Sequence, residues 1–345
     1  PPLQGSLRAD VVIVGAGFSG LWTAYALKQR NAALDVAICE SDIVGAGASG
    51  RNGGWCMGAL SGLPGLLLDP EVGPAAIRLQ RRLFETVDAI GATIEREKID
   101  CDFVPGGSLG LASLPEHLEV LKHSAHSFYQ AGFSEADFQL LGPEACATRI
   151  RSRDFFGALL STHSAVLDPG KLVRGLARAV ERMGVRIYED SRATGLTSQE
   201  VRTAGGSIRA EKVVLATEGY TPLVPAHKRR LVPIHSMMIA TDRIAPEIWE
   251  EIGLQGRETF ADKRRVTVYG QRTADDRIAF GGRGLYFLGS KARSRFPAND
   301  AAFPEVHRAM LSLLPQLAET PIAHRWGGPL GVPRDWRPAY GIDQR

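Results

Sequence analysis

The chain has 345 residues, 44% hydrophobic and 23% charged, the composition of a folded globular protein, which excludes disorder. At roughly 100–200 residues per domain, the length allows about two domains and a sizeable core. Lys and Arg number 41 against 38 Asp and Glu, a net charge of +3 with the basic residues scattered, which argues against a nucleic-acid partner.

Cys39, Cys56, Cys101 and Cys146 form no C-x-x-C pair, so free thiols, a reducing compartment and no metal site are expected. No apolar run approaches the ~20 residues that a membrane span needs. The opening Pro1-Pro2-Leu3-Gln4-Gly5 lacks the basic-then-apolar order of a signal peptide. A cytoplasmic location is the expectation.

Asp10 to Val14 is an apolar, β-branched run suited to a strand buried on both faces of a parallel sheet. Residues 18–30 suit a helix and 34–39 a second buried strand, giving a β-α-β unit within about 30 residues. Residues 45–54 carry glycine at 45, 47, 50, 53 and 54, too many for an element interior, so they form a loop. Between Pro74 and Lys98, Ala76, Leu79, Leu83, Val87, Ile90 and Ile94 recur at spacings of three and four, which predicts a long amphipathic helix packed beside the first sheet. Strands are expected at 103–112 and 185–188, and helices at 115–131 and 172–183. Residues 201–208 read as a hairpin arm and 212–216 as a separate buried strand. Strand-like runs at 237–241, 265–269 and 277–281 predict an antiparallel sheet. The pattern is that of an α/β nucleotide domain with a separate mixed-sheet domain.

Gly15-Ala16-Gly17-Phe18-Ser19-Gly20 is a G-x-G-x-x-G run between a predicted strand and a predicted helix, and Glu40 ends the second strand twenty residues beyond Gly20. In the dinucleotide fingerprint the three glycines serve a tight turn, close approach to a pyrophosphate and helix–strand packing. The helix N-terminus adds N–H groups and positive potential, and the acid accepts ribose hydroxyls, which argues against a 2′-phosphate. NAD and FAD both satisfy this pattern. His123 and His126 read as solvated surface residues, and His235 as core.

Gly47-Ala48-Ser49-Gly50-Arg51-Asn52-Gly53-Gly54 resembles the loop of FAD-dependent amine and amino-acid oxidases of the D-amino acid oxidase superfamily, in particular the γ-glutamylputrescine oxidase-like branch. The resemblance continues in Leu167-Asp168-Pro169-Gly170-Lys171-Leu172, in residues 213–220 and in Trp326-Gly327-Gly328-Pro329. It implies a discontinuous Rossmann-like FAD-binding domain (residues 1–98 and 151–232) with an inserted α+β substrate domain on an antiparallel or mixed sheet (99–150 and 233–322). Residues 323–345 would begin a C-terminal FAD-binding segment. Relatives extend past Gly341 into a strand and a helix that meet the flavin, whereas this sequence stops at Arg345, so that segment is expected to be truncated.

By the same resemblance, Ser41, Ala48, Ser49, Arg51, Asn52, Gly53 and Gly54 join the fingerprint around the cofactor. Ala193 lies near the adenine, and Ala216, Thr217, Glu218 and Gly219 close over the dinucleotide. Tyr269, Gln271, Arg283 and Trp326 are candidates for the substrate side. The implied reaction is hydride transfer from an amine-bearing carbon to flavin N5, followed by imine hydrolysis and reoxidation by O2 to give hydrogen peroxide. Another electron acceptor, or FAD binding without turnover, is the alternative. Leu330 stands about where amino-acid-oxidising relatives carry a carboxylate-binding Arg, which favours a primary or secondary amine such as a polyamine conjugate over an α-amino acid, with Arg283 on another strand the alternative source of a carboxylate contact.

Overall fold

A computed structural model describes residues 1–60, 62–224, 227–262, 264, 267–287, 291–336 and 340–342, with the side chains of 283 and 285 outside the described set. In chain order the elements are β1 (Gly5–Val14), α1 (Phe18–Arg30), β2 (Val36–Cys39), β3 (Trp55–Met57), α2 (Gly73–Glu97), β4 (Ser108–Ala112), α3 (Pro115–Gln130) and β5 (Phe138–Leu141). Next come α4 (Pro143–Ala147), β6 (Gly157–Ser161), β7 (Ser164–Val166), α5 (Pro169–Arg182), β8 (Arg186–Tyr188), β9 (Gly195–Leu196), β10 (Glu200–Arg202) and β11 (Gly206–Leu215). The last are β12 (Val232–Thr241), α6 (Pro246–Ile252), β13 (Thr259–Asp262), β14 (Val268–Arg272), β15 (Ile278–Tyr286), α7 (Ala302–Leu313) and β16 (Ile322–Val332).

Val11 to Val14 have no polar side chain to present to water, and β1 accordingly lies inside a sheet, parallel to β2 on one side and β11 on the other. Among the described residues this sheet has six strands, in the order β8-β2-β1-β11-β10-β9. Helices α1 and α5 cover one face, where Ile13, Leu21, Ile38 and Leu176 are fully buried. Each such side chain contributes about 1.5–3 kcal/mol. Helix α5 starts where Pro169 supplies a preset φ and the Asp168 carboxylate accepts the Lys171 N–H at 2.9 Å. The expected break between 208 and 212 is absent, because Thr203 N–H bonds Gly206 C=O at the turn and β11 then pairs continuously with β1.

The second sheet runs β16-β12-β15-β14-β13-β4-β6-β5 and is antiparallel except for the β13–β4 pair. One face is buried under α6 and α7, with Phe260, Phe280, Ile278, Met237 and Ile239 against Phe303, Met310, Leu313 and Trp249. Two expected boundaries move. Strand β6 falls within the segment assigned to the first sheet, yet it pairs with β4 and β5, because Ala158 and Leu160 bury into the core of Leu109 and Leu111. Strand β16, expected to begin a return to the first sheet, instead pairs with β12 through the eight-stranded sheet's edge.

Helix α2 lies between the two sheets rather than simply beside the first. Its Val87 and Ile94 join the core under β1, while Ala76 and Phe84 pack with Phe128, Phe133 and Phe138 beneath the second sheet. Strands β3 and β7 pair as a short ribbon. No helix among the described residues is long and apolar enough to cross a membrane. The four cysteines are buried and unpaired; burial pushes the Cys39 thiol up to about 12 and the Cys56 thiol up to about 11, which leaves both protonated and inert.

Candidate functional site

The turn from β1 to α1 is built almost entirely from backbone. Gly15 has φ of 109°, and a Cβ there would collide with the Ala216 carbonyl at the end of β11. Helix α1 has no capping side chain of its own. Its first N–H, from Phe18, donates instead to Ser49 Oγ at 2.8 Å, so the glycine-rich loop is folded back over the helix start. A Cβ on Gly17 would sit 2.8 Å from the same Oγ. Ser19 and Gly20 complete the first turn of the helix. The result is a turn with no Cβ at Gly15 or Gly17, entered by one side chain, Ser49, at the positive end of a helix.

Glu40 leaves β2 beside this cradle. Its Oε2 accepts the Ala16 N–H at 2.8 Å, and its Oε1 accepts from Asp42 N–H at 3.0 Å and from the Ser41 hydroxyl at 3.1 Å. A carboxylate offers about four acceptor sites, so a hydroxyl donor from a ligand remains accommodated. Ser191 N–H bonds Glu40 C=O at 2.7 Å, which brings the segment carrying Ala193 to the same edge. On the other side Ala216 N–H bonds Val14 C=O, and the Thr217 and Thr221 hydroxyls pair at 2.8 Å. Glu218, with φ of 42°, holds Gly331 N–H of β16 at 2.7 Å and also accepts from Gly219 N–H. Burial pushes its carboxyl above the usual range.

Residues 48–54 link this edge to the second sheet. Ala48 to Gly50 make one tight helical turn. Asn52 donates to Ser49 C=O and accepts Gly54 N–H. The Arg51 guanidinium donates to Ala46 C=O and Ser294 C=O, both at 2.6 Å. Gly53 and Gly54 lie so close to β14 that side chains at either would strike Tyr269 or Gln271.

Two of the four substrate-side candidates hold this loop instead of lining a cavity. Gln271, 4% exposed, donates to Gly53 C=O at 2.7 Å, and Trp326 donates its indole N–H to Arg51 C=O at 2.8 Å. Both are alternating residues whose face of the sheet is set by register, which a single strand does not reveal. Arg283 belongs to β15, and its side chain lies outside the described residues.

Tyr269 does line a cavity, of about 720 Å³, between residues 48–57 and the open face of the eight-stranded sheet. Its hydroxyl is hydrogen-bonded to Ser236, and its ring stands edge-on to Trp55 with centroids 5.5 Å apart. Pro329 and Leu330 form part of the rim. The inner wall brings in Met57, Ser108, Phe128, Phe138, Leu159 and Ser161, which sequence reasoning did not single out. Trp55 follows the glycine pair directly and was within reach of the pattern; Ser108 and Ser161 come from separate strands that only the sheet register unites. Among the described residues no cluster of His, Cys, Asp and Glu is arranged to hold a metal ion. His123 and His126 are exposed, and His235 is fully buried.

The chain matches the family model "FAD dependent oxidoreductase" (DAO) over residues 10–343. It is 29% identical to gamma-glutamylputrescine oxidoreductase of Escherichia coli (strain K12) over 344 residues, which are 98% of this chain and 78% of that protein. Among solved structures it superposes on glycine oxidase from Geobacillus kaustophilus with a TM-score of 0.75 at 21% identity, covering 98% of this chain and 86% of that one. It superposes on L-proline dehydrogenase from P. horikoshii with a TM-score of 0.77 at 19% identity, covering 99% and 86%.

Proposed function

The chain belongs to the DAO family of FAD-dependent oxidoreductases, and from that premise we propose that it oxidises a C–N bond of a primary or secondary amine bound in the cavity beside Tyr269. The observation that carries this reading is the junction at residues 48–54, where one loop both caps the start of α1 and walls the amine cavity. The residues present fit FAD: the cradle at Gly15 and Gly17 has no Cβ to obstruct a pyrophosphate, and Glu40 stands within reach of ribose hydroxyls.

In this reading the edge of the six-stranded sheet holds the dinucleotide through residues 15–20, Glu40, Ser41 and residues 48–54. Ala193 lies toward the adenine, and residues 216–219 close the other side. The eight-stranded sheet holds the amine. When bound, FAD supplies the hydride acceptor and passes the electrons on to O2 or another acceptor. The chain's own contribution is orientation and dryness. Trp55, Met57 and Leu330 line the cavity, and their apolar surface would favour the neutral amine from which hydride leaves. The Tyr269–Ser236 pair fixes a hydroxyl at the same wall and orients the amine nitrogen.

Leu330 lines the cavity, and the Arg264 guanidinium is held by Asp262 at 2.6 Å. With Leu330 uncharged, Arg264 held by Asp262 and the Arg51 guanidinium on the same lining engaged with the Ala46 and Ser294 carbonyls, the reading favours amines over α-amino acids. The relative gamma-glutamylputrescine oxidoreductase is named for an amine of that kind, which agrees with that choice.

The test is steady-state turnover of the FAD-loaded protein with acylated polyamines, simple amines and α-amino acids, following oxygen uptake, peroxide and reduction of an artificial acceptor. Amine-dependent turnover with peroxide release supports the oxidase; turnover only with the artificial acceptor makes it a dehydrogenase. Preference for α-amino acids overturns the substrate assignment.

A further inference from the structure

Tyr269 is held from three sides. A Cβ at Gly53, in the loop of residues 48–54, would come within 2.7 Å of its ring, and one at Gly281, opposite it on β15, within 2.8 Å. Trp55 meets the ring edge-on from a third side. The hydroxyl therefore has a fixed place, and its chemistry depends on which way its proton points.

Ser236 decides that direction. The pairing of β12 with β15 shifts register between His235, opposite Leu285, and Ser236, opposite Arg283, which leaves Gly284, with φ of 136°, as the extra residue of a bulge. Bulges re-aim the side chains beside them. Ser236 Oγ lies 3.2 Å from the Gly282 carbonyl and is also hydrogen-bonded to the Tyr269 hydroxyl. A carbonyl only accepts, and a serine has one proton to give. That proton goes to Gly282, so Ser236 receives the Tyr269 proton, and the chain runs from Tyr269 O–H through Ser236 O–H to Gly282 C=O. Each bond polarises the next. Ser236 and Tyr269 both line the cavity, and toward a ligand there the phenol, its proton committed, acts as an acceptor.

Building on the amine-oxidising reading above, we infer that Ser236 is a positioning residue that fixes Tyr269 as an acceptor, so that the cavity selects ligands carrying an N–H over ligands of the same shape that only accept. The polarity also suits the reaction. As the C–H bond breaks and its electron pair leaves as hydride for the flavin, the nitrogen lone pair forms the C=N bond and positive charge develops on nitrogen. A hydroxyl that donated would occupy that lone pair. One that accepts an N–H leaves it available and binds more strongly as the charge develops.

The test uses the FAD-loaded protein with a matched pair of ligands, the secondary amine N-methylbutylamine as substrate and its oxygen isostere butyl methyl ether as competing ligand. In Ser236→Ala the Tyr269 proton is released toward the cavity. There kcat/KM for the amine should fall by about 3–10-fold, and inhibition by the ether should tighten by about the same factor, the worth of one neutral hydrogen bond. The two changes are opposite in sign, whereas a merely loosened wall would weaken both. Adding Tyr269→Phe to Ser236→Ala should erase the ether's gain, and Ser236→Thr, which keeps the hydroxyl, should restore the natural preference. Ether inhibition that is unchanged or weaker in Ser236→Ala overturns the assignment while leaving amine oxidation standing. Ether binding followed through tryptophan fluorescence reads the polarity without turnover. If no amine reacts but Ser236→Ala still tightens that binding, and Tyr269→Phe abolishes the gain, the polarity stands and the amine reading falls.

Discussion

The two ends of the site are made of different materials. At the edge of the six-stranded sheet the work is done by backbone: the N–H groups that start α1, a glycine turn whose geometry excludes any Cβ, and one carboxylate, Glu40. At the eight-stranded sheet the proposed substrate wall is made of side chains: Tyr269, Ser236, Trp55, Ser108 and Ser161 line one cavity from five separate segments. A backbone cradle reads a feature shared by every dinucleotide and tolerates no added atom. A wall of side chains can be altered one residue at a time, which is where substrate choice is adjustable.

Substitutions should separate the ends accordingly. The largest effect is expected from Gly15→Ala, which forces a Cβ against the Ala216 carbonyl at a φ of 109°. It should cost about 2 kcal/mol or more of stability and abolish the visible flavin band, measured by thermal unfolding and by absorbance per chain. Next comes Glu40→Gln, which removes charge-assisted acceptors worth about 1.5–3 kcal/mol. The FAD dissociation constant should rise roughly tenfold or more in fluorescence titrations, with the fold intact. Tyr269→Phe should leave flavin content unchanged and lower amine kcat/KM by about 3–10-fold. Loss of flavin in that variant would break the division between the two ends.

The smallest effect concerns the scaffold beneath the first sheet. The Tyr25 hydroxyl donates to Glu97 at 2.7 Å and Arg182 pairs with it at 2.9 Å, tying α1, α2 and α5 together. The Tyr25 hydrogen bond, with Arg182 assisting, holds the Glu97 carboxyl below its ordinary value. A depressed carboxylate stabilises the fold fully above its unfolded pKa of about 4.3, and the contribution is lost as pH falls through the lower folded value. Glu97→Gln should therefore cost about 0.5–1 kcal/mol at neutral pH, after solvent screening. In urea titrations the gap to the natural chain should close under acid conditions.

Legibility in the sequence followed the same division. The β1-α1-β2 unit and the fingerprint could be read because they are contiguous: apolar run, glycines, helix and acid follow one another within the pattern that the physics requires. Helix α1 falls on the expected residues 18–30. The second sheet was less legible, since β6 and β16 belong to it through pairing with distant strands rather than through any local signal. Gln271 and Trp326 are expected on the substrate side, whereas both fasten the glycine-rich loop, because which face a strand residue presents is decided by register. Ser108 and Ser161 carry no mark in the sequence; pairing of separate strands places them side by side on the cavity wall.

In the proposed reading one loop joins a flavin cradle to an amine cavity, and the visible spectrum of the purified chain during anaerobic addition of an amine tests that most directly. Oxidised-flavin bands that bleach on adding an acylated diamine, and return on admitting air or an artificial acceptor, are the predicted result. A protein that takes up no FAD, or one whose flavin is untouched by every amine offered, would contradict it.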